Sequence, residues 1–414
     1  MKVCAFVQTP YRELPADFER RYPSVVVAPW WELARPEKMG QYYRWTIDSL
    51  LHAARAGLDG VAITEHSQNV YDVMPNPDLV MASLATLTEG LPVALVVLGT
   101  TVGKSHQPLR IAEEYAMLDC LSDGRLVAGL PLGLSYDANI NYGVTPLQTR
   151  ERYMEAHRLI VKAWTAREVF PWNGKFWQFP AVNLWPRPVQ QPHPPVWVPG
   201  VGTPGTMQWV LANDYCYCYL SWFGPRVAAR SVIPRYWEIA AQMGKEANPY
   251  RLAYLQVVVV SETDARAEEE YGPHVEYFFH KCLAGIPLAW LGLPGYIDYP
   301  GLEYLMRDPR DLGLFPQLRE MRFKDFAEGQ FVIAGSPATV RDQLLEVARE
   351  FRVGNLLAML HIGSLPHELA LKNIELFARE VLPHLRPLWD SEGWEHRWWP
   401  RSLLAGRSAP SPPG

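Results

Sequence analysis

The sequence predicts an α/β fold, a (β/α)₈ barrel with insertions, and three observations carry that reading. Short β-rich runs alternate with helix-like stretches along most of the chain. Polar residues gather just beyond the strands, where such a barrel mounts its active site. The clearest unit, residues 60–133, repeats strand, loop and helix, and its first strand ends in the charged pair Glu65-His66. A chain of 414 residues can hold a barrel of about 250 with excursions.

The elements follow in order. The apolar run 3–8 is the first strand, and a long loop containing Trp30 and Trp31 leads to a first helix over 40–56. Gly60 precedes a second strand at 61–64, after which Asp78 is placed to cap a helix over 79–88. Strands at 92–98 and 126–130 flank a helix over 108–118. An amphipathic helix follows from Thr149 to about residue 166. Residues 170–194, aromatic and proline-rich, form an excursion before the fifth strand at 195–198. A helix over 207–212 and strands at 215–220 and 253–260 come next, then a helical stretch at 263–270. Residues 286–331 are rich in Gly, Pro and Leu without clean periodicity, which marks an insertion. Ser336 and Pro337 open a helix to about 351. The eighth strand is 355–360 and the closing helix 365–381. Residues 1–386 thus read as one domain. Residues 387–414 form a Trp- and Pro-rich extension whose last residues are expected to be disordered.

Composition narrows the class. With 39 basic against 44 acidic residues and a formal charge of −5, nothing favours nucleic acid or a membrane surface as a partner. No run of about 18 uncharged apolar residues occurs, so no membrane span is expected. The N-terminus lacks the long apolar region and cleavage site of a signal peptide. Five cysteines without a CxxC pair point to a reducing, cytoplasmic setting. Cys216 and Cys218 share one strand face, where packing is the better reading than metal binding. The scattered histidines form neither HxH at a strand end nor HExxH, and GxSxG is absent, so zinc and serine hydrolases are unsupported and no metal is expected.

His66 is the first candidate for chemistry. A histidine at the C-terminal end of a barrel strand can titrate near neutrality as acid or base, with Glu65 orienting it, although a satisfied loop histidine fits the position equally. Gly200-Val201-Gly202-Thr203-Pro204-Gly205-Thr206 precedes a helix. Its glycines permit close approach, and free N–H groups with the Thr203 and Thr206 hydroxyls suit a phosphate, as they also suit an ordinary helix cap. Trp30, Trp31, Tyr71 and Met74 lie in loops above the barrel and line either a substrate pocket or a core or interface. Arg110, Glu113 and Glu114 read as scaffold, and Arg125 as a tie for the turn Asp123-Gly124.

The order and spacing of several motifs resemble the luciferase-like flavin monooxygenases, which include bacterial luciferase, the alkane and sulfonate monooxygenases, and deazaflavin-dependent relatives. The motifs are Glu65-His66, the run 108–119, Leu121-Ser122-Asp123-Gly124-Arg125, Pro186-Arg187-Pro188-Val189-Gln190, Pro195-Val196-Trp197-Val198-Pro199-Gly200 and Glu380-Val381-Leu382-Pro383. The resemblance covers roughly residues 1–386 and implies a homodimeric luciferase-like barrel. It implies that reduced, exchangeable FMN and O₂ oxygenate a small organic substrate, with a separate NAD(P)H-dependent flavin reductase. His66 would be the acid/base. Gly99 and Thr100, at a strand end where the family often has a cis non-proline peptide, would face the flavin ring, and Gly202, Thr203 and Thr206 would hold its phosphate. Two departures stand out: Ser67 replaces the second histidine of many relatives, and Leu132 occupies the place of a phosphate-binding arginine. Asn141 and Tyr142, in the next loop, are candidates for replacement contacts. An F420-dependent oxidoreductase on the same scaffold, or a non-enzymatic flavin-binding or interaction protein, are the alternatives.

Overall fold

Eight parallel strands close on themselves in the computed structural model, which describes residues 1–22, 24–104, 108–133, 135–220, 226–286 and 318–404. They are β1 (Lys2–Val7), β2 (Gly60–Thr64), β3 (Ala94–Gly99), β4 (Leu126–Gly129), β7 (Val196–Gly200), β8 (Cys216–Tyr219), β9 (Leu252–Val260) and β11 (Asn355–His361). Each pairs with the next in that order, and β11 returns to β1. Both faces of these strands are covered, which is why β9 is buried along all nine residues and reads as a run of Val and Leu rather than as an alternation.

Helices pack outside. They are α1 (Pro36–Arg55), α2 (Pro77–Leu87), α3 (Pro108–Leu121), α4 (Pro146–Thr165), α5 (Pro204–Ala212), α6 (Arg226–Gln242), α7 (Asp264–Tyr277), α8 (Pro337–Phe351) and α9 (His367–Leu376). Proline opens six of them, where its missing N–H costs no hydrogen bond. The excursion is an antiparallel hairpin of β5 (Phe170–Asn173) and β6 (Gln178–Val182). Buried Glu155 of α4 gathers it by accepting from the N–H groups of Lys175, Phe176 and Trp177.

Several expectations need correction. Asn76, not Asp78, caps α2: its Oδ1 accepts from the Asp78 N–H, because the helix begins two residues earlier than the pattern suggests. Helix α6 was not foreseen, since Pro234 interrupts its periodicity. β10 (Val332–Gly335), a short strand beside β9, was also missed. Most of the expected insertion, residues 287–317, lies outside the described residues, as do 405–414 of the C-terminal extension. The rest of that extension packs across the N-terminal end of the barrel. Trp399 is buried there and would be 3.3 Å from a Cβ on Gly60. Trp197 donates to the Trp398 carbonyl at 2.8 Å, and His396 pairs with Asn355 at 2.7 Å. No helix among the described residues is long and apolar enough to cross a membrane.

Candidate active site at the barrel mouth

The loops leaving β2, β3 and β4 fold towards one another at the C-terminal end of the barrel. His66 follows β2, and its N–H donates to the Met74 carbonyl at 3.0 Å, which returns the 68–74 loop over the strand end. The imidazole meets the ring of Tyr71 edge-on at 4.7 Å. Its Nδ1 lies 2.6 Å from Oδ2 of Asp137, a fully buried carboxylate in the loop after β4. A carboxylate at Nδ1 fixes a proton there and leaves Nε2 as the exchanging atom. Burial pulls the imidazole pKa down, but Asp137, followed by Asp72 and Glu65, outweighs it and holds the value above the ordinary one. Asp72 is itself pushed up to about 6 by burial, against the opposing pull of His66 and the Thr9 N–H.

Glu65 turns to different partners. Its carboxylate forms a buried ion pair with Lys104 and accepts from the Thr101 N–H at 3.3 Å. Burial, outweighing Lys104, raises its pKa. Lys104 also sits 4.5 Å over the ring of Tyr142, and Gln68 donates to the Asn141 carbonyl at 3.4 Å. Asn141 and Tyr142 are thereby tied to the β2 and β3 loops.

The end of β3 is built for closeness. Gly99 has φ +133°, and a Cβ there would lie 2.5 Å from the Gly129 carbonyl oxygen. The peptides around it are trans, contrary to the family-based expectation; the cis bonds of the described chain are Trp185–Pro186 and Gln191–Pro192. The glycine's positive φ makes the turn instead. Tyr115 of α3 bridges the strand ends, accepting from the Thr100 N–H at 3.0 Å and donating to the Gly129 carbonyl at 2.9 Å. Thr100 donates through Oγ1 to Asp78 at 3.4 Å. Burial, then the charges of Glu114 and Glu65, push Asp78 up to about 7.

After β7, Gly202 turns with φ +112° into α5, and its N–H donates to the Tyr217 hydroxyl at 2.8 Å. Gly202 therefore contributes the turn rather than a free donor. Thr203 and Thr206 hydrogen-bond to each other at 2.8 Å, and no side chain caps the start of α5. Helices α4 and α5 both follow parallel strands and begin at the same end. Tyr153 of α4 meets Trp209 of α5 at 5.5 Å, and Arg150 lies one turn nearer the α4 start with a buried Nε that has no partner among the described residues.

Of the expected pocket residues, Tyr71 and Met74 are buried beside His66, whereas Trp30 and Trp31 are 73% and 70% exposed and contact each other edge-on. Sequence reasoning missed Asp137, Asp72, Lys104 and Arg150. The only signal was their position just after strands or at a helix start, shared with many surface charges.

Residues 24–353 match the family model described as luciferase-like monooxygenase. The oxygenase component of a flavin-dependent trigonelline monooxygenase from Acinetobacter baylyi is 33% identical over 161 residues, 38% of this chain and 43% of that protein, so the match spans under half of that relative. A 2,5-diketocamphane 1,2-monooxygenase from Pseudomonas putida is 24% identical over 84% of this chain and 94% of its own length. Among solved structures, the oxygenating constituent of 3,6-diketocamphane monooxygenase from Pseudomonas putida, in complex with FMN, superposes with TM-score 0.68 at 19% identity, covering 92% of this chain and 98% of the other. An F420-dependent secondary alcohol dehydrogenase superposes with TM-score 0.59 at 15% identity, covering 93% and 99%.

Proposed function

The chain belongs to the luciferase-like monooxygenase family of enzymes, and from that premise we propose that it is the oxygenase component of a two-component flavin-dependent monooxygenase. It would take reduced FMN from a separate NAD(P)H-dependent reductase and use O₂ to oxygenate a small organic substrate. Residues 1–386 would act as one barrel domain, and the working form would be a homodimer. The observation that carries the reading is the buried His66–Asp137 hydrogen bond at the barrel mouth, set among polar atoms without partners.

The residues present fit a flavin mononucleotide. The start of α5, with Thr203 and Thr206, offers hydroxyls and backbone N–H groups to a phosphate, and Arg150 near the start of α4, whose Nε has no partner among the described residues, offers a positive charge. Arg150 thus compensates for Leu132, which cannot bind an anion. Gly99 and Thr100 supply a wall without bulky side chains, with Asn141 and Tyr142 on the neighbouring loop. Bound reduced FMN supplies the electrons that activate O₂, so that one oxygen atom enters the substrate and the other leaves as water. His66, oriented by Asp137 at Nδ1, is placed to donate or recover a proton through Nε2. Tyr71 and Met74 wall the substrate side and exclude water, while the role of Trp30 and Trp31 would require a covering element.

The solved F420-dependent dehydrogenase keeps a second reading in view, in which hydride moves directly and oxygen has no part. Parallel anaerobic titrations with reduced FMN and reduced F420, followed by tryptophan fluorescence, separate the two. Saturable binding of reduced FMN, with reoxidation kinetics that depend on the protein after O₂ mixing, is expected. Saturation by F420 alone would replace the monooxygenase reading with the dehydrogenase one.

A further inference from the structure

Four buried side-chain oxygens at the mouth lack a partner among the described residues, Gln8 Oε1, Ser67 Oγ, Asp78 Oδ1 and Asp137 Oδ1, while buried donors without one at this end, Arg12 Nε and Arg150 Nε among them, belong to neighbouring loops and helices. Three of the four residues bearing these oxygens converge on His66 and Tyr71. Asp137 holds His66 through its other oxygen, Gln8 donates through Nε2 to the Tyr71 hydroxyl at 2.8 Å, and Ser67 directly follows His66. Asn69 ties the group together, donating to both the Ser67 carbonyl and Asp137.

The chemistry of the four oxygens is one-sided. Gln8 Oε1 and an ionised Asp137 Oδ1 can only accept, and Ser67 can do either. Charge points the same way. Lys104 is committed to Glu65, and Arg12 is turned away through its Nη atoms to the Leu365 carbonyl and His361, with only its Nε unpartnered. One imidazole is left facing two carboxyl groups, Asp137 and Asp72. The Tyr71 ring, 6.3 Å from Phe278, adds an aromatic face in the field of both. Carboxylates beside aromatic faces select organic cations. A carbonyl or carboxylate would bring acceptors to acceptors and leave the buried oxygens unsatisfied, at about 1–3 kcal/mol each.

We infer that the site bounded by Gln8, Ser67, Tyr71 and Asp137 takes a protonated nitrogen base, an amine or a pyridinium-type ring, as its organic ligand. That this ligand is the substrate rests on the monooxygenase reading; the preference for a cation does not.

The test uses three probes on one aromatic frame, benzylammonium, benzyl alcohol and benzoate, titrated calorimetrically into the full chain at neutral pH with reduced FMN titrated separately. Benzylammonium is expected to bind at least about tenfold more tightly than benzyl alcohol, with no saturation by benzoate. Asp137→Asn, which keeps an acceptor for His66, should lower benzylammonium affinity about tenfold and leave reduced FMN affinity unchanged. Gln8→Leu, which removes only the uncharged acceptor, should weaken the same probe by a smaller factor and serves if Asp137→Asn does not fold. Equal binding of the three probes, or tighter binding of benzoate, overturns the inference. Failure of reduced FMN to bind while benzylammonium selectivity persists overturns the flavin reading and leaves the cation site standing.

Discussion

At the N-terminal end of the barrel Asp59 is shared by Lys2 and Arg386, and Arg251 and Arg397 both reach Asp214 and Glu246. Trp197, Trp389 and Trp398 each donate their indole N–H to a backbone carbonyl. At the C-terminal end, Asp78 and Asp137 each keep a buried oxygen without a partner, and Gln8 and Ser67 do the same. At the first end the carboxylates are paired and the unpartnered buried atoms are nitrogens, Arg251 Nε and His396 Nδ1; the other end concentrates buried carboxyl groups that nothing in the described chain fully answers. Unpaired buried polar groups cost stability at either end, but carboxyl oxygens left unanswered at the mouth, where such a barrel mounts its site, mark the part suited to a ligand.

Substitutions at the two ends should fail in opposite ways. His66→Gln is expected to lower substrate-dependent O₂ consumption about 10²–10⁴-fold, the usual range for a positioned acid or base, with little change in the urea midpoint. Trp399→Ala should do the reverse. It removes a buried ring packed near Gly60, Trp197 and His396 and should cost about 3–5 kcal/mol in urea denaturation. The folded fraction should bind reduced FMN as wild type does. A loss of FMN affinity in Trp399→Ala, measured below its unfolding transition, would erase the division of labour between the ends.

The barrel was legible because its strands are unmistakable: β2, β3, β9 and β11 are largely apolar runs that end in, or are followed directly by, polar or glycine residues, as befits strands covered on both faces. Glu65 and His66 were legible for the same reason, since they stand immediately after such a run. Asp137 was not. It lies 71 residues from His66, in a loop without periodicity, and acquires a role only when the β4 loop folds back onto the β2 loop. Arg150 resembled any charge in an amphipathic helix start, and only the structure shows its buried Nε without a partner among the described residues. The tail's tryptophans gave no periodic signal, and their place under the barrel is a tertiary fact that short-range pattern does not contain.

Asp78 offers a smaller test within the mouth itself. Its folded pKa, about 7, lies above the ordinary carboxyl value because of burial and the nearby Glu114 and Glu65. Between about pH 4 and 7 the folded state therefore binds more protons at this site than the unfolded chain does, so this residue's contribution to stability falls as pH rises through that window. Asp78→Asn should flatten that fall and be more stable than wild type at pH 8 by up to a few kcal/mol, since each tenfold change in proton affinity is worth about 1.4 kcal/mol. Urea denaturation at pH 5 and pH 8 reads it directly; equal loss of stability in wild type and variant over that range would show that Asp78 ionises normally.

Two residues earlier, Asn76 gives the matching control. Its Oδ1 accepts from the Asp78 N–H at 3.0 Å and caps α2, so its work is local to the helix start and involves no ionisable group. Asn76→Ala should cost about 1 kcal/mol at pH 5 and pH 8 alike. Helix and mouth meet at this turn, and the two substitutions pull them apart: one changes stability without pH dependence, the other chiefly changes the pH dependence. A pH-dependent loss in Asn76→Ala would mean that the cap also sets the environment of Asp78, and the boundary between scaffold and mouth would move one turn into α2.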